Sequence, residues 1–184
     1  MMTLRSQPGE GNATVRIIGP PSAARNTVDA VLAALPGVDA RFRGLMAPAL
    51  WAAGVKYGID PVGVIAQSAK ETAWGRFTGN VRPEFYNTGG IKIRHQALFP
   101  DITTGDNPLA HAMFPNWEVG AEAHAQHLRA YSGWPVDGLI VDPRYVFVNP
   151  DLKLENFEDL GGRWAPSVQY GVELVTIART LQGR

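Results

Sequence analysis

Cysteine is absent from the 184 residues. That excludes a disulfide framework, a thiolate metal site and a cysteine nucleophile. Neither sign of charge dominates, because 17 Lys and Arg balance 17 Asp and Glu. A chain that grips nucleic acid favours a basic patch or stripe, so no nucleic-acid partner is expected. No apolar run approaches the roughly 18 residues that cross a bilayer, and no membrane insertion is expected. The opening stretch, MMTLRSQPGEGNATVRIIG, lacks the continuous apolar core of a secretory signal. What remains is a composition of 45% apolar and 18% charged residues. This describes a globular chain long enough for one domain with a real core.

Residues 1–14 read as a flexible N-terminal segment and residues 15–184 as the domain. ATVRIIGPPS is a short extended piece stopped by Pro20 and Pro21. Ser22 or Asn26 is placed to cap a helix through ARNTVDAVLAAL, with Val28, Val31, Leu32 and Leu35 on one face. A second helix runs through ARFRGLMAPALWAAGVKYG, kinked near Pro48 and ended by Gly58. Asp60 then caps a third, with Pro61 at its first position. In that helix Val62, Ile65, Ala66, Ala69 and Ala73 form one stripe. Glu71 falls about 180° away, flanked by Val64 and Gln67, with Gly75 and Gly79 as the stop. The stretch from about 78 to 116 is rich in Gly, Pro, Asn, Asp and Thr, and reads as loops with a small irregular hairpin. Asn116 caps WEVGAEAHAQHLRAY, and Ser167 caps VQYGVELVTIARTLQ, whose core stripe is Leu174, Val175, Ala178 and Leu181.

Glu71 is the focal residue. An acid at the end of an otherwise apolar helix is either paired with Lys70, Arg76 or Arg94, or it has a job. The helix C-terminus and apolar neighbours such as Trp74 both favour the protonated form. A carboxylic acid that stays neutral is what cleavage of a glycosidic bond requires. The run YNTGGIKIR reads as a tight turn whose Gly89 and Gly90 allow close approach to backbone. His124 and His127 share one helix at i, i+3 spacing, but no further ligand pair completes a metal set, so they and His111 read as structural. No metal and no cofactor is expected. Trp74, Tyr86, Trp117, Trp134, Trp164 and Tyr170 read as core residues by default. Grouped along one groove, they would instead offer flat faces to sugar rings.

These segments in order resemble a known family. YGIDPVGVIAQSAKETAWGRF, YNTGGIK, HAMFPNWEVGAEAHAQHLRAYSG, DPRY and GGRWAPSVQYGVELV resemble the glucosaminidase domains of glycoside hydrolase family 73. The nearest variety is that of phage lysins and amidase-associated cell-wall hydrolases. The resemblance covers about residues 15–182 and implies a mainly α (α+β), lysozyme-like fold. In that fold a helical lobe carries a central catalytic helix, and a small irregular β-lobe closes the cleft.

By position in AKETAWG, Glu71 corresponds to the family's catalytic acid, and Tyr170 to the family's tyrosine near C-1 of the substrate. Asn87, Gly89, Gly90, Ile91 and Lys92 correspond to the segment beside the cleft. Trp74, Tyr86 and Trp164 are added as substrate-binding candidates. The second carboxylate stays open: Asp101 is preferred, Asp106 is the alternative, and Glu84 lies in the same lobe. The absence of a glutamate from residues 85–117 departs from members that have one there. The implied activity is hydrolysis of the β-1,4 bond between N-acetylglucosamine and N-acetylmuramic acid in peptidoglycan. A lytic transglycosylase, a muramidase and a non-catalytic wall-binding virion module are the rivals. The partner is a peptidoglycan glycan strand and a monomer is expected. The site of action is the bacterial cell wall, reached by a phage lysin through a holin or carried on a virion.

Overall fold

The computed structural model describes residues 14–93 and 110–184. Asp101, Asp106 and Arg94 lie outside the described residues. Among the described residues five α-helices carry the fold: α1 (Arg25–Ala34), α2 (Ala47–Tyr57), α3 (Pro61–Glu71), α4 (Trp117–Tyr131) and α5 (Gln169–Leu181). Helix α3 packs against α2 and α5, and α4 packs against α2 and reaches α3 through His124. The architecture is mainly α, as the resemblance implies.

The start of α3 is built as its sequence dictates. Asp60 Oδ1 accepts from the Val62 amide at 3.0 Å, and Pro61 occupies the first turn. The same oxygen accepts from the Ser22 amide at 3.1 Å, and the Ser22 hydroxyl accepts from Gln182 Nε2 at 2.9 Å. Helix α1 in fact begins after Ala24 with no side-chain cap, and neither Ser22 nor Asn26 caps it. Residues 15–19 run between two loops as a strap, with the Ile17 amide donating to Glu155 O and the Ile17 carbonyl accepting from the Asp60 amide. Val15 and Ile17 on this strap belong to the main core with Val28, Leu32, Phe42, Met46, Leu50, Ile65, Leu128, Leu160 and Leu174.

The second sequence helix is not a simple kink at Pro48. A π-helical turn, Phe42–Met46, precedes Pro48, and Phe42 and Met46 on it are fully buried. Helix α3 also departs from the single stripe expected. Residues 61–69 are buried on every side, because α2 and α5 flank the helix and the turn after Asn87 reaches it through His124 on α4. Val64, Gln67 and Ser68, on the expected open side, are 0% exposed. Ala73 is not helical, since α3 stops at Glu71 and Ala73, Trp74 and Gly75 all take positive φ.

Asn116 caps α4 as expected, accepting from the Val119 amide at 2.9 Å. Ser167 sits one residue before the Val168 N-cap of α5, and its hydroxyl accepts from the Gln169 amide at 3.2 Å. The expected hairpin is a pairing of residues 91–93 with 110–112. The Ile93 amide donates to Ala110 O and the Ala112 amide to Ile91 O, each at 2.8 Å. Ile91, Ala112 and Phe114 form a small second core against Ala123 of α4.

Candidate active site

Three elements meet at Glu71: the end of α3, the turn Asn87–Lys92, and the loop that enters α5. Glu71 terminates α3 because the next residues reverse the chain. Thr72 Oγ1 donates to Ser68 O at 2.7 Å and accepts from the Gly75 amide at 3.0 Å, while the Trp74 amide returns to Ala69 O at 2.7 Å. Ala73 and Trp74 are held at φ 50° and 61°, a region that costs a residue with a Cβ about 1 kcal/mol or more. The strain sits two and three residues beyond Glu71, where the chain turns away from the helix.

The turn is held by one side chain. Asn87 is fully buried. Its Nδ2 donates to Ile91 O (2.8 Å) and Ala112 O (3.0 Å), and its Oδ1 accepts from the amides of Gly89 (3.3 Å) and Ile91 (2.9 Å). All the bonding capacity of the amide is used. The two glycines are required by proximity. A Cβ on Gly89 would stand 3.0 Å from the His124 ring. One on Gly90, which is at φ +63°, would stand 3.1 Å from Glu71 Oε2.

Glu71, Gly90, Lys92 and Trp164 line a cleft of about 350 Å³, together with Phe77, Gly79, Asn80, Val81, His111, Ala165 and Pro166. Tyr170 lies behind it, buried, and its hydroxyl donates to Glu71 Oε1 at 2.5 Å. Glu71 has no ion pair among the described residues. The Lys70 ammonium pairs instead with Glu173 on α5, and Arg76 Nε donates to Ala73 O. Burial pushes the Glu71 carboxyl above the usual carboxylate range, against the opposing pull of the Tyr170 hydroxyl, the Lys70 charge and the Trp164 indole. Burial chiefly, and the Glu71 charge next, push the Tyr170 hydroxyl up, so it stays protonated and remains a donor.

The sequence candidates separate in space. Glu71, Tyr170, Trp164, Gly90 and Lys92 come together. Gly89 backs onto His124. Asn87 and Ile91 hold the turn from inside, Ile91 as a core residue at 2% exposure. Trp74 turns to Phe42, ring centroids 5.9 Å apart, and Tyr86 packs edge-on to Trp117 at 5.1 Å. Neither is among the described residues lining the cleft. Glu84 is exposed on a short 3₁₀ turn, Pro83–Phe85, also away from that lining.

Sequence reading did not single out the layer behind Tyr170. Gln67 Nε2 donates to the Tyr170 hydroxyl at 3.0 Å, and Gln67 Oε1 faces His124 Nε2 at 3.0 Å. His124 Nδ1 faces Thr88 Oγ1 at 3.1 Å. The available signal was the spacing of Gln67 to Glu71, one helical turn. His127, the other histidine of α4, pairs with the buried Asp142 at 2.7 Å. Trp164 covers both rings, with centroids 5.5 Å from His124 and 5.0 Å from His127.

A family model described as Glucosaminidase, mannosyl-glycoprotein endo-beta-N-acetylglucosaminidase, matches residues 47–183. The match opens at α2 and takes in every residue around the cleft. An uncharacterized protein of Borreliella burgdorferi is 32% identical over 125 residues, covering 67% of this chain and 53% of that protein. The chain therefore spans about half the length of this curated relative. No solved structure matches the chain.

Proposed function

The chain belongs to the glucosaminidase family, and from that premise we propose that it cuts the β-1,4 bond between N-acetylglucosamine and N-acetylmuramic acid in peptidoglycan, with Glu71 as the general acid. One observation carries this reading. Among the described residues no cation pairs with Glu71, which opens into the cleft, and burial favours its protonated form. In the proposed step the Glu71 proton passes to the glycosidic oxygen as the bond from that oxygen to the anomeric carbon breaks. Positive charge grows on the ring, and water completes the product. Lys92 and Trp164 supply a charge and an aromatic face to the strand. Tyr170 is buried behind Glu71, so it acts on the acid rather than on the sugar. Activation of the water falls to Asp101 or Asp106, or to the acetamido group of the substrate. The bacterial wall is the place of action, as for the phage lysins and virion-borne enzymes that the sequence resembles.

A second reading is supported by one feature. Among the described residues the cleft lining holds a single carboxylate, Glu71. A lytic transglycosylase needs one acid and no activated water. Mass spectrometry of fragments released from purified sacculi separates the readings. Reducing N-acetylglucosamine ends are the expected result, whereas anhydro-muramyl ends or reducing muramic ends would overturn the bond assignment.

A further inference from the structure

Behind Glu71 a file of hydrogen bonds crosses α5, α3 and α4 and ends in the turn. Its members are Tyr170, Gln67, His124 and Thr88, and the last three are 0% exposed. The polarity of this file follows from the orientation of the Gln67 amide, whose nitrogen faces Tyr170 and whose oxygen faces His124. The oxygen of an amide only accepts, so Gln67 Oε1 requires a proton on His124 Nε2. Burial, reinforced by His127, drives the His124 pKa down to about 3, so the ring is neutral and carries one proton. Nδ1 is then bare and takes the hydroxyl proton of Thr88. With its oxygen engaged, Gln67 presents N–H to Tyr170. The Tyr170 oxygen already receives a proton, and its own proton points at Glu71 Oε1.

We propose that Thr88, His124 and Gln67 are positioning residues that lock Tyr170 as a donor to Glu71 Oε1, and thereby confine the catalytic proton to Oε2, the oxygen beside Gly90 in the cleft. This rests on Glu71 being the acid. A proton on Oε1 would meet the Tyr170 proton across 2.5 Å. Tyr170 can turn away only if Gln67 offers it an acceptor. That reversal needs the amide to flip, His124 to carry its proton on Nδ1, and Thr88 to donate to the Gly120 carbonyl, 3.3 Å away. In the reversed state Glu71 would donate backward to Tyr170 and the cleft would face no proton. The polarity of the file thus separates a productive acid from an idle one.

The test is the titration of Glu71 itself, followed by carboxyl carbon NMR without substrate. The other titratable groups facing the file are Lys70 on α3 with Glu173 on α5, His127 on α4 with Asp142, Tyr131 at the end of α4, and Lys92 and His111 across the cleft. None of them is altered. His124→Phe removes both ring donors and acceptors, and Thr88→Val removes the hydroxyl that holds Nδ1 as acceptor while keeping the side-chain shape. Each is expected to raise the Glu71 midpoint by roughly half a unit to one unit, because the carboxylate loses a committed donor. Each is expected to lower kcat on sacculi about tenfold with KM unchanged, the loss expected when a transition-state contact of this size is removed. Placed on Tyr170→Phe, neither substitution should add a further shift, since the effect passes through that hydroxyl.

Additive shifts in the double variants, or an unmoved midpoint in both folded single variants, would overturn the proposal. Thr88→Val carries the test should His124→Phe fail to fold. Because the titration needs no substrate, it decides the wiring even for a chain that leaves sacculi intact, and that second result would count against the Glu71 acid reading alone.

Discussion

Gln67 and Glu71 stand one helical turn apart on α3 and hold opposite sides of a single hydroxyl. The Gln67 amide donates to the Tyr170 oxygen, and the Glu71 carboxyl accepts the Tyr170 proton. The i, i+4 geometry of a helix places both on one face, and α5 supplies the hydroxyl between them. The acid is therefore held from behind by a buried layer, and its second oxygen is left to the cleft.

A consequence for stability follows from the direction of the Glu71 shift. Its carboxyl titrates above its ordinary value of 4.5, so the folded chain binds that proton more tightly than the unfolded chain does. The stability contributed is complete below 4.5 and is lost as pH rises through the folded midpoint. Chemical denaturation of wild type and Glu71→Gln from pH 4 to 8 should show the variant gaining relative stability across that window. A constant difference at every pH would contradict the burial argument.

Asn87→Ala should cost about 2–3 kcal/mol of folding stability. It removes four hydrogen bonds and leaves buried amide and carbonyl groups unpaired. Denaturant unfolding measures the loss, and activity should fall with it because Gly90 loses its station beside Glu71. Wild-type stability would show that water or a shifted backbone replaces the amide.

Gly90→Ala should abolish activity more than stability. The new methyl would stand 3.1 Å from Glu71 Oε2 at φ +63°, a backbone strain of about 1–2 kcal/mol. Circular dichroism is expected to remain native while turnover on sacculi falls at least about a hundredfold, on the scale of a displaced catalytic group. Full turnover in the variant would remove Oε2 from the reaction.

Much of this was legible in the chain of letters. Asp60 followed by Pro61 marks the start of α3, and the cap forms as that pair implies. The focal position of Glu71 follows from one acid in an apolar helix. The burial of its whole helix was not legible, because periodicity reports one stripe and cannot count how many neighbours will close over the rest. Trp74 and Trp164 look alike in sequence, yet a left-handed turn sends Trp74 toward Phe42 while the loop before α5 brings Trp164 to the cleft. The Gln67–His124–Thr88 file joins residues 57 and 36 positions apart. Separations of that kind become visible only once the helices are packed.

The central claim is that a protonated Glu71 breaks the glycosidic bond. The direct measurement is the rate of fragment release from purified sacculi by Glu71→Gln, with native circular dichroism as the control. Loss of a general acid typically costs about 10²–10⁴-fold in rate, and a fall of that size with the fold intact is the predicted result. A folded Glu71→Gln protein that releases fragments at the wild-type rate would contradict the account.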